Sequence, residues 1–203
     1  MDMIFSSFFR KEKNKCFMDR GILILAFGDK PDVIDEAEND VKIFSQHTNN
    51  VKFEKCNTIT HVINLIKQNQ PEILHLLSKF DSNGKISDNY GNSLNLGEIM
   101  KVAENAGVNI FISASENNFE YLKNESINSK SMIFLTILQR NRYYESFLNG
   151  LVSGITATGN FAATYVKLAP QYENGQRGLP LPGSIAVCPG KNGKNIVLWS
   201  NAQ

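Results

Sequence analysis

The stretch EILHLLSKFDSNG, Glu72 to Gly84, changes character near its middle and decides the fold. Its first part, Glu72 to Ser78, is a nearly continuous apolar run, which is typical of a strand buried on both faces of a parallel sheet. The second part begins at Lys79 and is mostly polar. The stretch therefore predicts a buried strand that brings a polar loop to one edge of a sheet.

The same apolar runs alternate with helical patterns along the rest of the chain. Further strands are predicted at Gly21–Phe27, Val51–Cys56, Val108–Ala114 and Ser131–Leu138. A first helix is predicted after Pro31, and a second begins at Thr58 or Thr60 and ends before Pro71. A third begins at Asn95, with Glu98 as its capping-box partner, and ends near Gly107. From Arg142 onward the pattern predicts two helices, in a region interrupted by Gly150, Gly154 and Gly159. Ser184–Val187 and Asn195–Trp199 flank the turn signal Asn192-Gly193 and predict a closing antiparallel ribbon. The pattern indicates an α/β fold with a mainly parallel central sheet.

Length and composition favour one globular domain. The 203 residues are 42% hydrophobic and 20% charged, which is enough apolar material for a substantial core. We predict a domain over residues 21–203, preceded by a tail over residues 1–20. The Phe-rich and then Lys-rich tail either packs on the domain or forms a small amphipathic segment that contacts a membrane, a partner or a second copy.

Charge and cysteine content narrow the classes of partner. With 21 basic and 20 acidic side chains the net charge is +1, so no overall field attracts nucleic acid. Cys16, Cys56 and Cys188 are an odd number without a CxxC spacing, which argues against a disulfide framework or a zinc knuckle. Scattered reduced thiols and no secretory signal favour a cytoplasmic protein.

Ligands of parallel sheets bind beyond the carboxyl ends of the strands. There the chain places three loops, which begin at Gly28-Asp29-Lys30, at Ser78-Lys79-Phe80-Asp81 and at Ser115-Glu116. The sequence GDKP has neither the glycine spacing nor the following lysine of a phosphate-binding loop, although nucleotide binding in a flavodoxin-like fold stays open. No cofactor or metal site is predicted.

Two of these junctions resemble a known family. ILHLLSKFDSNG, followed some thirty residues later by GVNIFISASENN, resembles the paired signature of the caspase-like cysteine peptidases, especially bacterial CHAT domains. In that family the third strand reads I-x-H-x-x-x-H-G and the fourth ends in A-C-x-S. RYYESFLNGLVSGITATGNFAATYVKLA is similar to the helical segment that follows strand five. The resemblance covers residues 21 to 170 and implies a three-layer sandwich.

Laid over the family signature, both catalytic positions are substituted. His75 matches the first histidine, Lys79 falls on the catalytic histidine and Ser115 on the nucleophilic cysteine. Phe80 stands in the place of a glycine whose open backbone serves the oxyanion hole, and its ring could fill the cleft. The resemblance implies a pseudoprotease that binds a protein or peptide partner, such as an active caspase-like paralogue, in a defence or cell-death setting.

The alternative is a serine hydrolase with a Ser115-Lys79 dyad. Lysine acts as a base only if its pKa falls by roughly three units from about 10.4, a shift of about 4 kcal/mol. Asp81 or Glu116 beside the amine would oppose that shift. The hypothesis therefore depends on which group Lys79 meets.

Each candidate also has a purely structural interpretation. Lys79 could be a solvated lysine at a strand end, and Ser115 could cap the next short helix. Asp29 is interpreted either as part of a pocket for basic side chains, as the resemblance implies, or as a helix-start residue before Pro31. His75 lies in an apolar strand, where a core histidine with satisfied hydrogen bonds is expected rather than a ligand.

Overall fold

The chain folds around a seven-stranded sheet. A computed structural model describes residues 19–114, 131–137, 143–173, 184–189 and 196–199. Within them the strands are β1 (Ile22–Phe27), β2 (Val51–Cys56), β3 (Ile73–Leu77), β4 (Lys85–Ser87), β5 (Ser93–Asn95), β6 (Ile110–Ala114), β7 (Ile133–Ile137), β8 (Ser184–Cys188) and β9 (Ile196–Trp199). The helices are α1 (Pro31–Ser45), α2 (Ile59–Asn69), α3 (Leu96–Asn105), α4 (Tyr144–Thr158) and α5 (Phe161–Glu173).

The large sheet has the order β2-β1-β3-β6-β7-β8-β9, and β4 pairs with β5 in a separate hairpin. Within this sheet β1, β2, β3, β6 and β7 run parallel to one another, whereas β8 pairs antiparallel with both β7 and β9. The predicted α/β class, with a mainly parallel sheet and a closing antiparallel ribbon, is confirmed. The predicted turn at Asn192-Gly193 lies outside the described residues, as does the tail up to residue 18.

Two apolar layers cover the sheet, one on each face. Side chains from β1, β3, β6 and β7 alternate between the faces, as expected of strands. One face packs against α1, α4 and α5, around Phe44, Phe147 and Tyr165. The other packs against α2 and α3, around Ile66 and Met100. The domain is thus a three-layer sandwich, and the central strands are apolar throughout because both of their faces are covered.

Local signals account for the helix ends. Pro31 begins α1, where its missing N–H leaves no bond unmade. The Thr58 hydroxyl accepts a hydrogen bond from the His61 amide at 3.1 Å and caps α2. Asn95 and Glu98 form the predicted capping box of α3, with both bonds at 2.8 Å. Each of these ends depends on residues within one turn, so the sequence was sufficient to place it.

The hairpin of β4 and β5 was not predicted; that segment was expected only as a polar connection. Two aspartates shape its ends. Asp81 accepts hydrogen bonds from the amides of Asn83 and Lys85, and Asp88 accepts from those of Tyr90 and Asn92. The strands are three residues long. Such short strands leave almost no alternation to detect.

Candidate functional site

The loops after β1 and β3 lie side by side at the carboxyl edge of the sheet. Ala26 pairs with Leu77 at the last rung between these strands. The parallel strands follow the doubly wound order in which β1 and β3 border the point where the chain reverses its direction across the sheet. Any ligand of this sheet is expected in the crevice at that point, as the sequence predicted.

Lys79 leaves the end of β3 and reaches the first turn of α1. Its Nζ donates a hydrogen bond to Asp32 Oδ2 at 2.5 Å. The two side chains are 43% and 56% exposed, so the pair stands in solvent rather than in an apolar pocket. The contact bridges the two walls of the crevice. A carboxylate at hydrogen-bond distance stabilises the ammonium form of a lysine.

The ion pair changes the pKa of its acidic partner, Asp32. The hydrogen bond from Lys79 holds the pKa of the Asp32 carboxyl below its ordinary value, against the opposing effect of desolvation. The amide of Val33 adds a further hydrogen bond to the same carboxylate. Asp32 is therefore ionised at neutral pH and keeps a negative charge beside the amine.

The sequence expected Asp81 or Glu116 as the carboxylate near Lys79. The Asp81 carboxylate instead accepts hydrogen bonds from the amides of Asn83 and Lys85, at 2.8 and 2.9 Å, and so organises its own loop. Glu116 lies outside the described residues. Asp32 was missed because it stands 47 positions from Lys79 in the chain. A signal existed, since the first turn of the helix after β1 begins at this edge and contains the acidic residue Asp32.

The other predicted site residues have different surroundings. Asp29 is exposed in the loop after β1, next to Gly28, whose φ of +103° gives the chain an open turn there. Phe80 is buried, and its ring packs with the apolar layer beneath α2 and α3. The ring therefore belongs to the core, and it presents little exposed surface to a partner.

Ser115, the predicted nucleophile position, lies outside the described residues, so its distance to Lys79 stays a prediction. The two preceding residues are described. Ser113 and Ala114 are buried at the end of β6, where Ala114 pairs with Leu77 of β3. β6 thus ends beside β3, as the paired family signature requires.

His75 is a core histidine, as predicted. It is fully buried in β3, with Nε2 2.8 Å from Asp40 Oδ2 and Nδ1 3.3 Å from the carbonyl oxygen of Ile112. The Tyr144 hydroxyl donates to the same Asp40 oxygen at 2.9 Å. Both ring nitrogens are engaged inside the protein, so this imidazole is not presented to a substrate at the crevice.

Asp40 and Tyr144 were not identified from the sequence. Asp40 lies on the apolar stripe of α1, at helical spacing from Val33, Ala37 and Phe44. An ionisable residue on such a stripe requires a buried partner. A histidine in an otherwise apolar strand is the matching signal, and together they could have predicted the pair. Tyr144 offered no comparable signal.

In the described part of the chain, no group of three His, Cys, Asp or Glu side chains could hold a metal ion. None of the described helices is long and apolar enough to cross a membrane.

Comparison with known proteins leaves the resemblance as a hypothesis. The chain matches no protein-family model, and it has no significant match among curated protein sequences.

Proposed function

We propose that this chain is a catalytically inactive caspase-like protein of CHAT type that binds a protein or peptide partner at the crevice between β1 and β3. An active caspase-like paralogue is the partner that the resemblance suggests. The setting is regulatory and cytoplasmic, and binding requires no cofactor. The same resemblance places the lost catalytic pair at Lys79 and Ser115.

The observation that carries the proposal is the contact of Lys79 with Asp32. A base for serine must be neutral, which requires an apolar site or a neighbouring cation. Lys79 has instead a carboxylate at 2.5 Å and a side chain that is 43% exposed. Both features favour the charged amine, which cannot accept the serine proton.

The architecture supports the proposal more weakly. The two junctions of the family signature follow β3 and β6, which are neighbours in the sheet, and Leu77 pairs with Ala114 at their ends. The described ends of β3 and β6 therefore lie at one edge of the sheet, which supports the assignment of both catalytic positions to that edge. The order of the parallel strands is shared by other doubly wound folds, so it is compatible with this family without singling it out.

Active-site labelling separates the pseudoenzyme from a Ser115-Lys79 hydrolase. We expect a fluorophosphonate probe to leave the wild-type chain unlabelled, because no neutral base activates the hydroxyl. Ser115→Ala, Lys79→Met and Ser87→Ala are treated in parallel. Ser87→Ala is the control, since Ser87 is an exposed serine on the separate hairpin of β4 and β5. Labelling that persists in Ser87→Ala and disappears in both other variants would establish the hydrolase and reject the proposal.

Partner binding is tested by reversing charge at the crevice. The tagged chain is recovered from cells that express it, and the co-purifying proteins are identified by mass spectrometry. Asp29→Lys removes an exposed carboxylate from the crevice, whereas Asp35→Lys makes the same change on an exposed position of α1. We expect a protein that co-purifies with wild type and with Asp35→Lys to be lost with Asp29→Lys. Equal recovery with both variants would exclude this part of the crevice as the contact.

A further inference from the structure

Three buried hydroxyl groups near the carboxyl edge of the sheet have no hydrogen-bond partner. They are Ser78 Oγ, Ser113 Oγ and Thr136 Oγ1, and they are the buried side-chain polar atoms left unpaired in the part of the chain that the structure describes. The residues are 2%, 0% and 0% exposed. Buried polar groups are nearly always paired, so three unpaired hydroxyls in one domain require an explanation.

Two of the three hydroxyls, those of Ser113 and Thr136, belong to one face of the sheet. Ser113 of β6 pairs in register with Thr136 of β7 on one side and with Leu76 of β3 on the other. This is the face covered by α2 and α3, because Leu76 and Phe134 pack in that layer. Two neighbouring strands thus contribute one hydroxyl each to one region, and Ser78 lies one position beyond the end of β3, the strand on the other side of β6.

The region is also distinguished by side-chain size. One rung further from the edge, on the same face, stand Leu74, Phe111 and Phe134, all fully buried. At the next rung towards the edge on this face stand Leu76, Ser113 and Thr136, so a serine and a threonine replace the two phenylalanines. Small polar side chains leave space that leucine and phenylalanine fill, and they add hydrogen-bonding groups to it. The opposite face carries no such change, since Ala114, Leu135 and Ile137 there are apolar.

We propose that Ser113 and Thr136 line an internal hydration site in which bound water bridges their hydroxyls. Internal waters typically make about three hydrogen bonds to buried polar groups that are otherwise unpaired. Adjacent strands are about 4.8 Å apart, which is within reach of a water that bonds to a hydroxyl on each. The site lies beneath the carboxyl edge, and it holds whether or not the crevice binds a partner.

Removing one hydroxyl gives opposite results with and without bound water. Thr136→Val keeps the shape and β-branching of the side chain, so the variant is expected to fold. If water bridges the hydroxyls, its loss raises the equilibrium constant for unfolding by about tenfold, or about 1.4 kcal/mol. If the hydroxyl is truly unpaired, the substitution relieves a desolvation penalty, and the equilibrium constant stays the same or falls. The latter result overturns the proposal.

A double-mutant cycle tests whether one water is shared. Ser113→Ala and the combination with Thr136→Val are measured by the same denaturant unfolding. Once the water has lost one partner, the second substitution is expected to cost clearly less than it does alone. Fully additive losses in the free energy of unfolding would show that the two hydroxyls share no water. Thr156→Val is the matched control, since that hydroxyl donates to the Val152 carbonyl at 2.8 Å on α4 and should show additivity with both.

A measurement on the wild-type chain requires no variant. Water-to-amide cross-relaxation in NMR detects internal water that stays bound long enough to be distinguished from bulk solvent. We expect such signals at the amides of Ser113 and Thr136 and their loss in Thr136→Val. Their absence from the wild-type spectrum overturns the proposal, whatever the stability data show.

Discussion

The sequence predicted the position of Lys79 but not the carboxylate that it contacts. Its place at the end of β3 and the need for a nearby carboxylate both follow from the sequence. The identity of that carboxylate does not, since Asp32 is 47 positions away and reaches the amine only when α1 packs back across β1 and β3. Proximity in the chain favoured Asp81, whose carboxylate is instead engaged by amides of its own loop.

The pair predicts a titration shift that can be measured at one atom. In Lys79→Met, the pKa of the Asp32 carboxyl should rise towards its ordinary value, because the hydrogen bond that lowers it is lost. Carbon-detected NMR of the side-chain carboxyl across an acid titration measures the change. Lys30→Met is the control, as it removes an exposed lysine of the adjoining loop. An unchanged Asp32 titration in Lys79→Met would mean that the ion pair does not persist in solution.

The sign of the stability effect follows from the direction of that shift. A carboxyl with a lowered pKa in the folded chain stabilises it fully above the unfolded value, near pH 4. The contribution is lost as the pH falls through the lowered value. Lys79→Met should therefore be less stable than wild type at neutral pH. The difference between the two should disappear as the pH falls through the lowered pKa of Asp32.

At the scale of elements, the glycines around the break between α4 and α5 have two different roles. One ends a helix locally, and two allow close packing of the helices. Three glycines interrupt this region, and the sequence predicted two helices without choosing among the glycines. The break falls at Gly159, which has a φ of +64° and ends α4 in the left-handed conformation. Gly150 and Gly154 lie inside α4 and face α5 instead. Their role is close helix packing, which depends on the position of the second helix.

The two glycines are expected to respond differently to alanine. A Cβ at Gly154 would lie 2.4 Å from Thr164 Cγ2, and the β-branched threonine has little freedom to move. Gly154→Ala should therefore destabilise the chain by about 1–3 kcal/mol through overpacking. A Cβ at Gly150 meets only the flexible end of Leu168, at 3.1 Å. Gly150→Ala should be neutral or stabilising by up to about 1 kcal/mol, since alanine favours the helix.

Denaturant unfolding of both variants checks the contrast. Adding Thr164→Ala to Gly154→Ala should recover part of the loss, because the atom that clashes is removed. A similar loss for both single variants, or no recovery in the double variant, would show that α4 and α5 do not pack this closely.

At the scale of the molecule, two thiols report on the two apolar layers. Cys56 packs in the layer under α2 and α3, and Cys188 in the layer under α1, α4 and α5. Burial raises the pKa of each thiol to about 12, with a smaller contribution from the Glu54 charge at Cys56. Relative to the ordinary value of 9.0, this leaves on the order of a thousandfold less thiolate.

Both thiols should therefore resist iodoacetamide in the folded chain and react only on unfolding. The experiment uses a Cys16→Ser background and follows each site by peptide mass spectrometry across a urea series. If the two layers form one cooperative domain, the two reactivity curves should have the same midpoint. Separate midpoints would show that the layers unfold independently, and fast labelling without urea would contradict the burial of the thiols.

Periodicity and local capping chemistry were enough to predict most of the fold. They act over a few residues, so they predicted the α/β class, the parallel core strands, the helix ends and the edge where polar loops meet. The same local reasoning identified His75 as a core residue. Two three-residue strands escaped because they are too short to have a period.

The tertiary structure alone decided which distant groups meet. It joined Lys79 to Asp32, His75 to Asp40 and Tyr144, Gly154 to Thr164, and Ser113 to Thr136. The physical reason is common to all four: each contact depends on how a helix or strand packs on the sheet, and that packing is set by the whole apolar core. The chain thus encodes its elements locally, while the chemistry available at the crevice depends on contacts made only when those elements assemble.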